Sequence, residues 1–282
     1  MSRDREQPTV TRESIAQDLA RLGLRAGDVV FFHSSLRSIG WVEGGADAVI
    51  DAFLDVVGPA GLVIAPTLSW TFAHGDLSKH PFDPRETPSR VGRITDTLWR
   101  RPNAFRSAHP THSIAAIGPR AEELVADHDK TSTFDKDGPY RRYVDWGASI
   151  LFLGVDMRCN TTLHAIEDWL DLPYLQVDKA IVKGPDGEPR IVEVTKAPIG
   201  HRDFYRKGSK VERALERSGI IRRGQVGTAD TLWMPSQEMV EVVVNGICRE
   251  PTLLLCDSED CEFCRRYRQP TIQHINKNRP RI

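Results

Sequence analysis

The sequence predicts an α/β fold around a central, mostly parallel sheet, and three observations carry that expectation. Val29–Phe32, Gly61–Pro66 and Ile150–Leu153 are short apolar runs without alternation, as strands buried on both faces require. Amphipathic segments at helical spacing, Thr11 to Leu22 and Ala46 to Val57, stand between such runs. A strand–helix–strand rhythm implies βαβ units with parallel neighbours. The 282 residues suffice for one large domain, 1–282. The basic, Pro-containing segment 270–282 is expected to be a loosely held tail.

Composition narrows the function classes. A formal net charge of -1 gives no global field for nucleic acid or an anionic membrane surface. No apolar run reaches membrane-span length, and the amino terminus lacks the apolar core of a signal peptide, so a cytoplasmic protein is expected. Five dispersed cysteines fit a reducing compartment better than a disulfide scaffold.

In chain order, Thr11 is the expected N-cap of the first helix, with Glu13 in its first turn and Gly23 at its end. His33-Ser-Ser-Leu-Arg-Ser-Ile-Gly40 leaves the first strand. Its hydroxyls, guanidinium and glycine amide suit phosphate or pantetheine contacts, although an ordinary capped loop fits as well. Thr67 to Glu86, with Trp70, His74 and His80, is long for a connection and reads as a functional loop or lid. Val91 to Trp99 and Ala121 to Asp127 read as helices, with Gly138-Pro139 as a turn. Asp178 to Thr195 reads as a hairpin about Gly184–Gly187. Val211 to Ser218 and Ser236 to Asn245 are helical, Gly219–Gly227 is a short strand and turn, and Thr252–Leu255 is the last strand-like run.

The chemistry concentrates between Leu151 and Glu167. A buried strand ends at Gly154, a polar turn follows, and Asn160 or a neighbouring threonine caps a helix expected to run on to Tyr174. His164 falls in its first turn, at the carboxyl end of a strand, where open α/β sheets place ligands. Glu167 follows at i+3 on the same face. An imidazole fixed by a carboxylate suits removal of a proton from a weakly acidic nucleophile. A histidine that only caps or packs fits the spacing equally. Asp168, Asp171 and Asp178 form either a solvated face or partners for a polycationic substrate.

Two metal readings arise. His109 and His112 would point to opposite faces of a strand, with no carboxylate or cysteine close by in sequence. Cys256, Cys261 and Cys264 include a C-x-x-C, but a tetrahedral site wants a fourth ligand that only Cys248 or His274 could supply, so free thiols and no metal are expected.

Several motifs together resemble the aminoglycoside 3-N-acetyltransferases of the antibiotic N-acetyltransferase superfamily. They are His33–Gly40, Gly58–Gly61 leading to Ala65-Pro-Thr67, Pro81-Phe-Asp-Pro84, Arg106-Ser-Ala-His-Pro110, Leu153-Gly-Val-Asp with Asn160-Thr-Thr-Leu-His164 and Glu167, Gly224-Gln-Val-Gly227, and Asp260-Cys-Glu-Phe-Cys264. They span nearly the whole chain in the family's order, and the tail most resembles the type IV branch. The resemblance implies a three-layer α/β/α fold with an inserted β-hairpin. It also implies acetyl-CoA as donor, no required metal, and direct transfer in a ternary complex to the 3-amino group of a 2-deoxystreptamine ring, as in antibiotic resistance. It makes His164 the general base and Glu167 its carboxylate. It assigns Ser34, Ser35, Leu36, Arg37 and Gly40, with Ser107 and His109, to the coenzyme; the thioester oxyanion needs donors, which backbone N–H or hydroxyl groups near Ser34, Ser35 or Thr161 can supply. Trp70, Asp168 and Asp171 fall to the acceptor. One departure stands out: Gly200 occupies the place of an aspartate that partners the base in the type IV branch, and Asp203 follows three residues later. Asp203 substitutes for it, Glu167 alone orients His164, or the substrate scope differs. Another amine or amino sugar is the alternative acceptor, and the expected assembly is a monomer or homodimer.

Overall fold

The computed structural model describes residues 9–69, 81–184, 186–196 and 203–279. Trp70, His74, His80 and Gly200 lie outside the described residues, as do residues 280–282. The chain runs through β1 (Thr9–Val10), α1 (Arg12–Leu22), β2 (Val29–Ser34), the single turn α2 (Leu36–Ile39), β3 (Trp41–Val42), α3 (Gly45–Val57) and β4 (Leu62–Pro66). Next come α4 (Arg93–Trp99), β5 (Phe105–Arg106), β6 (Ile114–Ile117), α5 (Ala121–Val125), α6 (Pro139–Asp145) and β7 (Ser149–Leu153). A 3-10 turn, Met157–Cys159, leads into α7 (Thr162–Trp169), β8 (Gln176–Lys183) and β9 (Pro189–Lys196). A second such turn, Asp203–Tyr205, precedes α8 (Lys210–Ser218), β10 (Arg222–Val226), β11 (Ala229–Pro235), α9 (Ser236–Arg249) and α10 (Glu262–Lys277).

Seven strands form one sheet in the order β10-β11-β7-β2-β4-β6-β5. Its centre, β7-β2-β4, is parallel, and the pairs on either side are antiparallel. Side chains alternate across each strand. Phe31, Ile64, Ile150 and Phe152 therefore join one core with α5, α6, α7 and α9, whereas Phe32, Val63, Leu151 and Leu153 join a second with α1, α3 and α4. This gives three layers. The hairpin β8–β9 stands apart from the sheet and is bridged to Phe82. No helix among the described residues is long and apolar enough to cross a membrane.

Local signals behave as chemistry requires at the first helix. Thr11 and Ser14 form a reciprocal capping box, and Gly23 at φ 116° closes α1 in a conformation that a side chain would oppose. Elsewhere the structure corrects the sequence reading. Gly138-Pro139 begins α6, because proline at N1 gives up only an amide that has no helical partner. The helix of His164 stops at Trp169 instead of continuing to Tyr174, with Asp171 at φ 50° turning the chain. Thr252–Leu255 is a buried turn, its amides satisfied locally by Leu253 to Glu250 and Leu255 to Thr252. The expected loose tail is helix through Lys277, held by buried Thr271 and Ile275.

Candidate active site

The carboxyl ends of β2, β4 and β7 share one edge of the sheet, and the functional loops leave from it. Gly154, at φ 63°, ends β7 against α2. A Cβ there would stand 2.2 Å from the Cβ of Ser38, so only glycine permits this approach. Ser38 then donates to the Gly154 carbonyl at 3.1 Å, tying the two loops together. Gly227 serves similarly at the β10–β11 turn, where a Cβ would lie 2.4 Å from the Ile39 carbonyl oxygen.

Thr161 is the N-cap residue of α7, and the Asn160 side-chain oxygen accepts from the Thr162 amide at 3.2 Å. This places His164 and Glu167 one above the other. His164 Nδ1 lies 2.7 Å from Glu167 Oε2, with the carboxylate fully buried and the imidazole 17 % exposed. Tyr174 donates to the other carboxylate oxygen at 2.7 Å. A carboxylate only accepts, so it fixes the proton on Nδ1 and leaves Nε2 with a lone pair. That lone pair faces the Tyr205 hydroxyl at 2.8 Å, on a side chain that is itself exposed. Phe204 meets the ring edge-on at 5.3 Å, and Phe134 lies over it at 6.3 Å with the planes 26° apart.

Tyr174, Tyr205, Phe134 and Phe204 are not singled out by sequence reasoning. No spacing rule signals them, since each meets the site only through the fold. Asp203 lies on the same 3-10 turn as Tyr205, and its side chain falls outside the described residues. Asp168 follows His164 by one turn on α7. Burial pushes its carboxyl up to about 6, with repulsion from Asp171 and Asp135 adding to the shift and a hydrogen bond with Thr195 opposing it. Asp171 and Asp178 are exposed.

At the β2 end, Ser34, Ser35 and Leu36 are half-buried and Arg37 is exposed. A guanidinium beside hydroxyl groups, at a turn that closes with Gly40 at φ 107°, fits the phosphates and pantetheine of a coenzyme A. Thr161 is buried, its hydroxyl 3.5 Å from the Cys159 carbonyl.

Ser107 and His109 lie beneath the surface. Ser107 Oγ accepts from the Ile114 amide at 2.9 Å and donates to His128 Nδ1 at 2.9 Å, while His128 Nε2–H donates to the Thr133 carbonyl at 3.0 Å. His109 Nδ1 accepts from the amides of Thr111 and His112. His109 and His112 occupy a turn before β6 rather than a strand, with ring centroids 6.4 Å apart. Burial holds all these imidazoles neutral: His112 falls to about 3, His128 to about 4, and His109 well below its ordinary value. Arg106 anchors the same loop, donating to the carbonyls of Thr67, Pro84 and Thr87 while its guanidinium lies over Phe82 and Trp99.

A three-layer α/β protein with a carboxylate-held imidazole, an aspartate one turn further along the same helix and a serine–arginine turn at the same sheet edge fits a group-transfer enzyme acting on a basic nucleophile. Comparison with known proteins specifies which. The family profile described as Aminoglycoside 3-N-acetyltransferase matches residues 31–247. Aminoglycoside N(3)-acetyltransferase VII of Streptomyces paromomycinus is 32 % identical over 266 residues, covering 84 % of this chain and 91 % of that protein. The type IV enzyme from Salmonella sp is 32 % identical over 254 residues, covering 89 % and 93 %. Among solved structures, the apoenzyme of aminoglycoside acetyltransferase AAC(3)-IVa superposes with TM-score 0.78 at 29 % identity, covering 94 % of this chain and 99 % of that one. A histidine-to-alanine mutant of that enzyme, in complex with a gentamicin, gives TM-score 0.77 at 29 % identity, covering 93 % and 98 %. AAC-IIIb, in a binary complex with CoASH, gives 0.76 at 26 % identity, covering 89 % and 100 %. The chain belongs to the aminoglycoside 3-N-acetyltransferase family and is an acyltransferase.

Proposed function

We propose that this enzyme transfers the acetyl group of acetyl-CoA to the 3-amino group of a 2-deoxystreptamine aminoglycoside, within a ternary complex and with His164 as general base. The observation that carries the reading is the orientation of His164: Nδ1 is held by buried Glu167 at 2.7 Å, which turns the Nε2 lone pair toward the exposed Tyr205. An acetylated coenzyme supplies the acyl group as a thioester, and the neighbour crystallised with CoASH supports that donor. Ser34, Ser35, Leu36, Gly40 and Arg37 hold the coenzyme, and Ser107 and His109 shape the adjoining loop from below. Thr161 faces the thioester oxygen.

The acceptor amine displaces Tyr205 from Nε2. His164 accepts a proton from that amine as its nitrogen bonds to the acyl carbon, and Glu167 stabilises the imidazolium that results. The carbon–sulfur bond breaks, and His164 returns the proton to the departing sulfur. The products are an amide and a free thiol, and the neutral imidazole is restored. Asp168 and Asp171, with Trp70, hold the remaining ammonium and hydroxyl groups of the acceptor, and Asp203 joins Glu167 as a carboxylate partner of the base. The charge of Asp168 and Asp171 suits a polycation, and the neighbour bound to a gentamicin supports that class. Antibiotic resistance follows from acetylation of such compounds.

The test is product analysis with a panel that includes gentamicin, apramycin and kanamycin. Acetylation at the 3-amino nitrogen and intersecting initial-velocity patterns are expected. An acetyl-enzyme trapped in the absence of acceptor, or acetylation at another nitrogen, would contradict the reading.

A further inference from the structure

Three of the five cysteines meet at the start of α10. Cys256 follows the buried Thr252–Leu255 turn, Cys261 is the N-cap residue of α10, and Cys264 lies in its first turn. Their sulfur atoms all lie within 4.8 Å of one another, and none is in a disulfide. Zinc–thiolate bonds of about 2.3 Å in a tetrahedral site place sulfurs about 3.8 Å apart. A small closure of the 256–261 loop therefore brings all three onto one ion. Backbone amides already face two of the sulfurs. The Cys256 amide donates to Cys264 Sγ at 3.3 Å, and the amides of Phe263 and Cys264 face the Cys261 sulfur. These donors belong to the loop and to the positive end of a 16-residue helix. Arg268 adds a cation close by, reaching the Cys256 carbonyl at 3.4 Å. A redox dithiol needs two sulfurs, and the third within the same reach points to metal.

We propose that Cys256, Cys261 and Cys264 bind one zinc ion as thiolates, releasing three protons, with solvent or a small anion in the fourth position. Among the described residues no fourth histidine, cysteine or carboxylate joins the group. His274, one sequence candidate, instead bonds the Leu170 carbonyl through Nε2 at 2.8 Å, and Cys248 lies on α9 outside the cluster. Partly exposed Cys261 marks the open side. The ion staples the loop to α10. Phe263, between two of the ligands, and Tyr267, one turn later, meet Tyr174 edge-on at 5.7 and 5.9 Å. Tyr174 in turn holds Glu167. The staple is thus a positioning device for the carboxylate behind His164; this last role rests on the proposed function, whereas the metal itself does not.

Elemental analysis of the full chain purified in reductant tests the site without turnover. About one zinc per chain is expected, retained in Cys248→Ser and absent from the doubly substituted Cys261→Ser, Cys264→Ser protein. Because the double variant could fail to fold, the wild-type chain refolded with Co2+ gives a second reading, in which thiolate charge-transfer bands and the strong visible bands of a tetrahedral site are expected. Zinc removal by a chelator is expected to lower the melting temperature and kcat while leaving the acetyl-CoA KM unchanged. Wild-type metal content no higher than that of the double variant, with no cobalt–thiolate bands, overturns the proposal. So does a disulfide among these three cysteines in place of metal in the reduced protein.

Discussion

Two groups of histidines lie side by side in this molecule and have opposite chemistry. His164 has a buried carboxylate on one nitrogen and the hydroxyl of exposed Tyr205 on the other. His109 and His128 are buried and His112 is half-buried, with hydroxyl, amide and carbonyl partners and no carboxylate at hydrogen-bond distance among the described residues, His109 stacked on His128 at 4.4 Å. Only 6.4 Å separates the ring centroids of His112 and His164. The imidazole is the same and the partner differs. A ring beside a buried anion suits the proposed role of base, whereas rings held neutral by desolvation suit that of rigid polar spacers beneath the loop.

Breaking the first group should have the largest effect. His164→Ala is expected to lower kcat by about 10²–10⁴-fold while leaving acetyl-CoA affinity within about threefold, read by steady-state kinetics and coenzyme titration. Glu167→Gln keeps a hydrogen-bonding amide but loses the charge, and a loss of about 100-fold in kcat is expected. Asp168→Asn is expected to raise the aminoglycoside KM about tenfold, as for one charge-assisted contact. Because burial raises the Asp168 carboxyl from 3.8 to about 6, its charge appears only as pH rises through that value. The wild-type KM should therefore fall as pH rises through about 6, a step the variant lacks. The sign for stability is the reverse: with the folded value raised, Asp168 favours the native state most below 3.8, and this contribution is lost by about 6.

The second group should break with acid. His112 and His128 drop from 6.5 to about 3 and about 4 in the folded chain, so the unfolded chain binds more protons as pH falls below 6.5. Their contribution is complete above 6.5 and is lost progressively below it. The melting temperature should fall as pH is lowered from 6.5 toward 4, measured by calorimetry. The smallest effect is expected from Tyr205→Phe. Removing one exposed hydroxyl from Nε2 should change kcat/KM by no more than about fivefold, which separates a displaceable resting contact from a catalytic one.

How much of this is legible in sequence follows from the range of each interaction. His164 and Glu167 are readable because a helix places i and i+3 together whatever surrounds it. The central strands are readable because burial on both faces leaves continuous apolar runs. Tyr205 reaches His164 across 41 residues, and Tyr174 reaches Glu167 around a chain reversal at Asp171, so no local spacing announces either. Strand β11 escapes the sequence reading because Thr231 and Pro235 break its apolar pattern, although it pairs with β7 along five residues. Thr252–Leu255 misleads in the opposite sense. Its leucines are as buried as a strand's, but they fill the core between helices and pair with no strand among the described residues. The Arg106–Ser113 motif reads as a loop near the ligand, yet its side chains face inward, and sequence does not tell which side of a loop is wet.

The most direct test of the central claim is free-thiol release from acetyl-CoA with a deoxystreptamine aminoglycoside, measured for wild type and His164→Ala with and without added imidazole. Turnover by the wild type, its loss in the variant and partial recovery with imidazole are predicted. A His164→Ala enzyme that matches the wild-type rate without imidazole would contradict the account.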